Sequence, residues 1–170
     1  MRAISIFFAG VIAATLASGS AFAQGADQKF VKEAIEGNLA EVQMGQLAQQ
    51  NGASQGVKDF GRMLQNDHGQ ANGKATSLAS SLQVTPPAEP NAKQKKDYAK
   101  MSKLNGAAFD KAFAAHMVAD HKKDIAAYQK ASKSKNQQVA GYASETLPTL
   151  QKHLETAQSL QKGAGKSAAR

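Results

Sequence analysis

Apolar residues recur every three to four positions along most of this chain, the period of a helix with one buried face. From about Asp27 to Gln50, Val31, Ile35, Leu39 and Val42 share one side, and Asn51-Gly52 closes the segment with a C-terminal glycine signal. From about Ser54 to Gln83 the stripe is Val57, Gly61, Leu64, Ala71, Ala75, Leu78 and Leu82. Three prolines within Pro86 to Pro90 exclude a continuing helix and predict a connection. A short helix is expected over Lys93 to Leu104. A third long one follows over Ala107 to Lys130, with Phe113, Met117, Ile125 and Tyr128 inward. After a turn at Ser132 to Asn136, the fourth runs from Gln137 to Gln161 with Val139, Ala143, Leu147, Leu150, Leu154 and Ala157 inward. Pro148 falls on its outer side, where it should kink the helix without entering the core.

Two helical hairpins joined by a longer link predict an all-α fold, an antiparallel four-helix bundle with a short extra helix in the crossover connection. A heptad-driven coiled coil fits less well, because prolines and glycines interrupt the repeat. The composition agrees with helix: Ala, Lys, Gln and Leu dominate, and Trp is absent.

The first residues change the picture. Arg2, the apolar run Ile4 to Leu16 and the small-residue site Ala21-Phe22-Ala23 predict a signal peptide cleaved after Ala23. The run is too short for a membrane anchor. The expected organisation is therefore a signal peptide over residues 1–23, a single bundle domain over 24–162 and a disordered tail over 163–170. The location expected is periplasmic or secreted. With no Cys in the chain, stability must come from a packed core or a ligand.

Charge is unevenly spread. Residues 24–85 carry five Lys/Arg against six Asp/Glu, while residues 86–170 carry fifteen against seven. The lysines come with little Arg and few aromatics, and export argues against nucleic acid as a partner. They are read as solvated helix faces suited to anionic lipid or cell-wall polymer. No protein partner is indicated.

Placing polar residues at about 100° per residue leaves four inside or beside the apolar arcs. They are Glu41, His68, His121 and His153, one on each long helix. His116 points off its stripe and is expected to be exposed. Inward carboxylates and imidazoles on facing helices are how bundles build metal sites, and Zn, Fe or Cu would suit this set. Asp67, Asp120 and Asp124 are candidates to orient an imidazole through its second nitrogen. Met117 and Met44 lie one turn or less from His121 and Glu41, a pairing that suits copper but also ordinary core filling. A hydrogen-bonded His/Glu/Asp network in a metal-free core uses the same residues. Counting from the turn near Gly52, Glu41 and His68 are offset by roughly 7 Å along the bundle axis, which weighs against a four-residue site. No Cys nucleophile, phosphate-cradling loop or H-E-x-x-H zinc-protease signature is present.

Four stretches carry a family resemblance: Phe30 to Leu47, Phe60 to Asn72, Gly106 to His121 and Thr146 to Leu154. Through Glu41, the pairs Asp67-His68 and Asp120-His121, and the L-P-x-L-x-x-H segment ending at His153, the chain resembles an exported bacterial family of unknown function. Its members are often labelled outer-membrane proteins. The resemblance implies a ferritin-like bundle and an envelope location, and supplies no activity. Gln65 and Leu150 stand three positions before His68 and His153, where ferritin-like di-iron proteins carry Glu. A ferroxidase centre is therefore not implied. The expected function is a non-enzymatic binding or envelope-stress protein that takes either a partner or a metal ion between its helices. The alternatives are a metal-dependent oxidase or peroxide- or metal-handling enzyme, and a structural envelope protein without metal.

Overall fold

The computed structural model describes the backbone of residues 17–167 and the side chains of residues 24–163. Of the expected signal segment, residues 1–16 lie outside the described residues, as do 168–170 of the expected tail. The described chain is all helical: α1 (Ala17–Asn51), α2 (Gln55–Ser81), α3 (Ala92–Met101), α4 (Gly106–Ala131) and α5 (Gln137–Ser167). α5 runs past Gly163, where the sequence had placed the start of the tail.

Local chemistry sets the boundaries. Ser54 caps α2 by accepting from the Val57 N–H. Asn91 and Gln94 form a reciprocal capping box at α3. Gln83, with φ of 57°, turns the chain out of α2. The proline link is more closely packed than expected of an exposed loop, for Pro90 is buried and Pro86 and Pro87 are half-buried. Pro148 lies inside α5 and is exposed, as the angular reading required.

Each hairpin packs along its length, α1 on α2 and α4 on α5, and the hairpins meet through α2 with α5 and α1 with α4. Small residues bring α1 and α2 close: a Cβ on Gly45 would stand 2.5 Å from the Gly61 carbonyl oxygen, and one on Gly61 would stand 2.6 Å from that of Gly45. At the turn, Asp110 of α4 accepts from the Ala53 and Ser54 N–H groups at 2.9 and 2.8 Å.

The apolar interior is in two parts. One end holds Val31, Ile35, Leu78, Tyr128, Val139 and Leu150. The other holds Leu47, Phe60, Leu64, Phe109, Phe113 and Met117. Burying each large apolar side chain contributes roughly 1.5–3 kcal/mol. Between the two parts every long helix changes character. The buried polar residues Asn38 and Glu41, His68, His121 and His153 fall in sequence between the apolar sets of their own helices. The bundle thus has a polar waist.

Candidate metal centre

Three histidines meet in that waist. Their candidate ligand nitrogens all lie within 4.8 Å of one another, and the side chains are buried. His68 comes from α2, His121 from α4 and His153 from α5. The residue counts for His121 and His153 from their turn differ, yet His121 Nε2 and His153 Nδ1 stand 3.3 Å apart. Helical side chains tilt toward their own N-terminus. On antiparallel helices the two tilts converge, and this shortens the offset.

Each imidazole is held by its other nitrogen. His68 Nδ1–H donates to Asn38 Oδ1 at 2.9 Å. His121 Nδ1–H donates to the Met117 carbonyl at 3.0 Å. His153 Nε2–H donates to Asp67 Oδ2 at 2.9 Å. The chain of contacts extends outward, with Asn38 Nδ2 donating to the Tyr142 hydroxyl at 3.2 Å and Tyr142 paired with Tyr128 at 3.1 Å. These bonds fix the tautomers. They leave electron pairs on His68 Nε2, His121 Nε2 and His153 Nδ1.

Those three nitrogens are not satisfied by protein. His68 Nε2 is buried and has no hydrogen-bond partner. The His121–His153 pair cannot be satisfied by two neutral rings: moving the His153 proton to Nδ1 would turn its Nε2 electron pair onto the Asp67 carboxylate. A shared proton would solve this, but burial opposes it. Desolvation, then the neighbouring imidazoles, hold His68 well below its ordinary value. Desolvation and His153 bring His121 down to about 4. Burial also lowers His153, outweighing the pull of Asp67. All three are therefore neutral near pH 7, the state in which imidazole ligates metal. Two nitrogens on one tetrahedral metal at about 2.05 Å lie roughly 3.3 Å apart, which matches the His121–His153 distance.

Glu41 does not join this group. Among the described residues, the cluster able to hold a metal consists of the three histidines alone. The reason is the axial offset: the α1 residue level with His68 is Asn38, one helical turn before Glu41. Glu41 instead faces α4. Burial, then the charges of Asp120 and Asp124, push its carboxyl well above the ordinary range. Burial and Asp120 carry Asp124 up to about 7. The three histidines hydrogen-bond to Asn38, the Met117 carbonyl, Asp67 and each other, and not to Asp120 or Asp124. Of the three candidate orienting residues only Asp67 takes part, and it holds His153, not its sequence neighbour His68. His116 is half-buried, not exposed, and lines a small cavity with Glu41.

Asn38, Tyr142 and the Met117 carbonyl went unrecognised in the sequence. Asn38 had a signal: it lies as far before the Gly52–Ser54 turn as His68 lies after it.

A second cavity, of about 150 Å³, opens between α1, α4 and the start of α3, with Glu33, Glu36, Asn38, His68, Lys123 and Asp124 on its walls. It leads to His68. Glu33 and Glu36 outnumber Lys123 there, and an excess of carboxylates raises the local concentration of cations. Among the described residues no helix is long and apolar enough to cross a membrane.

The family model for a domain of unknown function, DUF4142, matches residues 13–160. No curated protein and no solved structure matches the chain. Since the matched stretch takes in all five helices up to the last turns of α5, the chain belongs to the DUF4142 family.

Proposed function

We propose that this chain is an exported, ferritin-like four-helix-bundle protein that binds one transition-metal ion at His68, His121 and His153, acting as a metal-binding protein of the envelope. The observation that carries the reading is the convergence of three neutral imidazole electron pairs, each ring oriented by a hydrogen bond on its far nitrogen. An all-imidazole set suits zinc, copper or iron. Three protein ligands leave a coordination position for water or a small molecule. The acidic cavity beside His68 supplies a route for the ion. Export and the ferritin-like arrangement rest on residues 1–23 and on the hairpin order. The lysine-rich half is suited to anionic envelope surfaces.

Titration with Co2+ tests the centre, because tetrahedral cobalt absorbs visibly and reports ligand geometry. One equivalent bound with a tetrahedral spectrum is expected, and His121→Ala and His153→Ala should each remove it. Absence of the spectrum in the folded wild-type protein would leave the histidines as a hydrogen-bonded core only. Oxygen or peroxide turnover by the loaded protein would move the reading to the enzymatic alternative.

A further inference from the structure

Surface charge divides by helix. On α1, α2 and α5 exposed residues of both signs pair: Lys29 with Glu33, Arg62 with Asp59, and Lys74 with Glu145. Over residues 92–135, which make up α3, α4 and the turn after it, no exposed residue is acidic. α3 exposes Lys93, Lys95, Lys96 and Lys100, and α4 exposes Lys111, Lys122, Lys123 and Lys130. Glu89, just before this stretch, pairs with Lys95.

The acids of the stretch are drawn inward. Asp97 accepts from Lys93 at 2.6 Å, and its side chain is 22% exposed. Asp110 is buried on the Ala53 and Ser54 amides. Asp120 turns to Glu41, and Asp124 lines the cavity beside His68. α3 packs on α4, and its Asn91 and Gln94 share that cavity's wall with Lys123, so the lysines of the two helices form one continuous face.

A surplus of one sign repels itself, and the mixed charges of the other helices already serve solubility. A polyanion offsets the surplus. Residues 92–135 hold no Arg and expose no aromatic side chain, so the forked phosphate contacts and base stacking of nucleic-acid binders are missing. Ala99, Ala115, Ala119 and Ala126 are exposed among the lysines, too small to hold the ammonium groups off a flat surface or to insert into one. The 26 residues of α4 spread the charges over roughly 39 Å, far wider than a single headgroup.

We infer that the α3–α4 face docks the protein on an anionic lipid bilayer, electrostatically and without insertion. This deepens the envelope reading above by naming its partner, and it does not depend on the histidine centre. Such attraction fades beyond about 10 Å at 0.1 M salt and is reversed by more.

The experiment is sedimentation of the chain from Gln24 onward, which holds the whole buried core, with vesicles of phosphatidylcholine alone or mixed equally with phosphatidylglycerol. In chelator, the protein should bind the mixed vesicles at low salt, leave them at high salt, and not bind phosphatidylcholine alone. Lys96→Glu, Lys100→Glu, Lys122→Glu and Lys130→Glu together should weaken binding by about a hundredfold or more. Arg62→Glu, Lys74→Glu, Lys152→Glu and Lys162→Glu make the same change of net charge on α2 and α5, and should cost less than about fivefold. All eight side chains are exposed, so both variants should fold, which circular dichroism checks. The inference is overturned if the mixed vesicles do not carry the protein down, or if the two variants lose binding equally. It is also overturned if soluble polyphosphate, at equal phosphate, binds more tightly than the vesicles, because the partner would then be a polymer chain. Each of these results leaves the cobalt test, and export read by cell fractionation, standing by themselves.

Discussion

The histidine centre and the Glu41 cavity occupy the same waist of the bundle but meet burial in opposite ways. At the histidines, every ring has one nitrogen bonded to protein and the other aimed at a common point. Burial keeps the rings neutral, so their interior position costs little charge desolvation and their affinity is spent on a ligand. At Glu41 the neighbours carry the same sign of charge as the group itself, and burial compounds the conflict. Without an ion the first arrangement buries no charge but leaves nitrogen electron pairs without a donor, His68 Nε2 among them. The second is strained unless Glu41 holds a proton, which it shares with Asp120. The same waist thus carries a neutral site short of a donor and a carboxyl short of a counter-charge.

The largest effect should come from removing a ligand. His121→Ala is expected to weaken Co2+ or Zn2+ binding by a hundredfold or more by calorimetry, since a three-ligand site cannot spare one. Glu41→Gln should leave that binding within about twofold. An equal loss in both variants would bring Glu41 into the histidine centre.

Orienting residues come next. Asn38→Ala and Asp67→Ala should each weaken transition-metal binding by roughly 10–100-fold, the usual cost of losing an outer partner of a ligating histidine. Competition against a chromogenic chelator measures this. No change in either variant would mean the ring orientation is set by packing, with Phe60 against His121 and His153 as the main contact.

Packing at the small-residue contact is a third handle. Gly45→Ala places a Cβ 2.5 Å from the Gly61 carbonyl oxygen, and overpacking of this kind costs on the order of 1–3 kcal/mol. Urea unfolding should register the loss, and retained metal stoichiometry would show that the waist survives it.

The pH dependence of metal-free stability separates the two regions by sign. The folded value of His121 is about 4 against an ordinary 6.5. Between these values the unfolded chain holds the proton and the folded one does not, so this group's contribution is lost as pH falls. Glu41 is raised above its ordinary 4.5, so its contribution is lost as pH rises through and beyond that value. The stability of Glu41→Gln relative to wild type, measured in chelator, should therefore grow with pH above about 4.5. The slope cannot exceed about 1.4 kcal/mol per pH unit for one proton. A difference independent of pH would mean that Glu41 does not titrate abnormally.

Tyr142→Phe should have the smallest effect, about 0.5–1.5 kcal/mol, because it removes a hydroxyl bonded to Asn38 and Tyr128 but no ligand contact.

The helices and their inward faces were legible because periodicity and caps are local. Val31, Ile35, Leu64, Phe113 and Leu150 are buried as the stripes required. The histidines were legible for the same reason, as imidazoles in apolar arcs. What failed was the axial register between helices. An angular projection puts Glu41 and His68 on facing surfaces yet does not show that Asn38 is the residue level with His68. The role of Asp67 was obscured similarly: sequence proximity suggested His68, but successive residues on a helix point about 100° apart. His116 was placed outside because only the four long helices were considered, and α3 covers it.

The carboxylate of Asp110 at the α1–α2 turn has a further consequence. It belongs to α4 and bonds amides 57 and 56 residues away, so those bonds exist only when both halves of the chain are in place. The Ala53 and Ser54 amides are therefore built-in reporters of assembly. Their hydrogen exchange should slow when the hairpins dock, and a variant that forms both hairpins but fails to join them would leave these two amides exchanging freely.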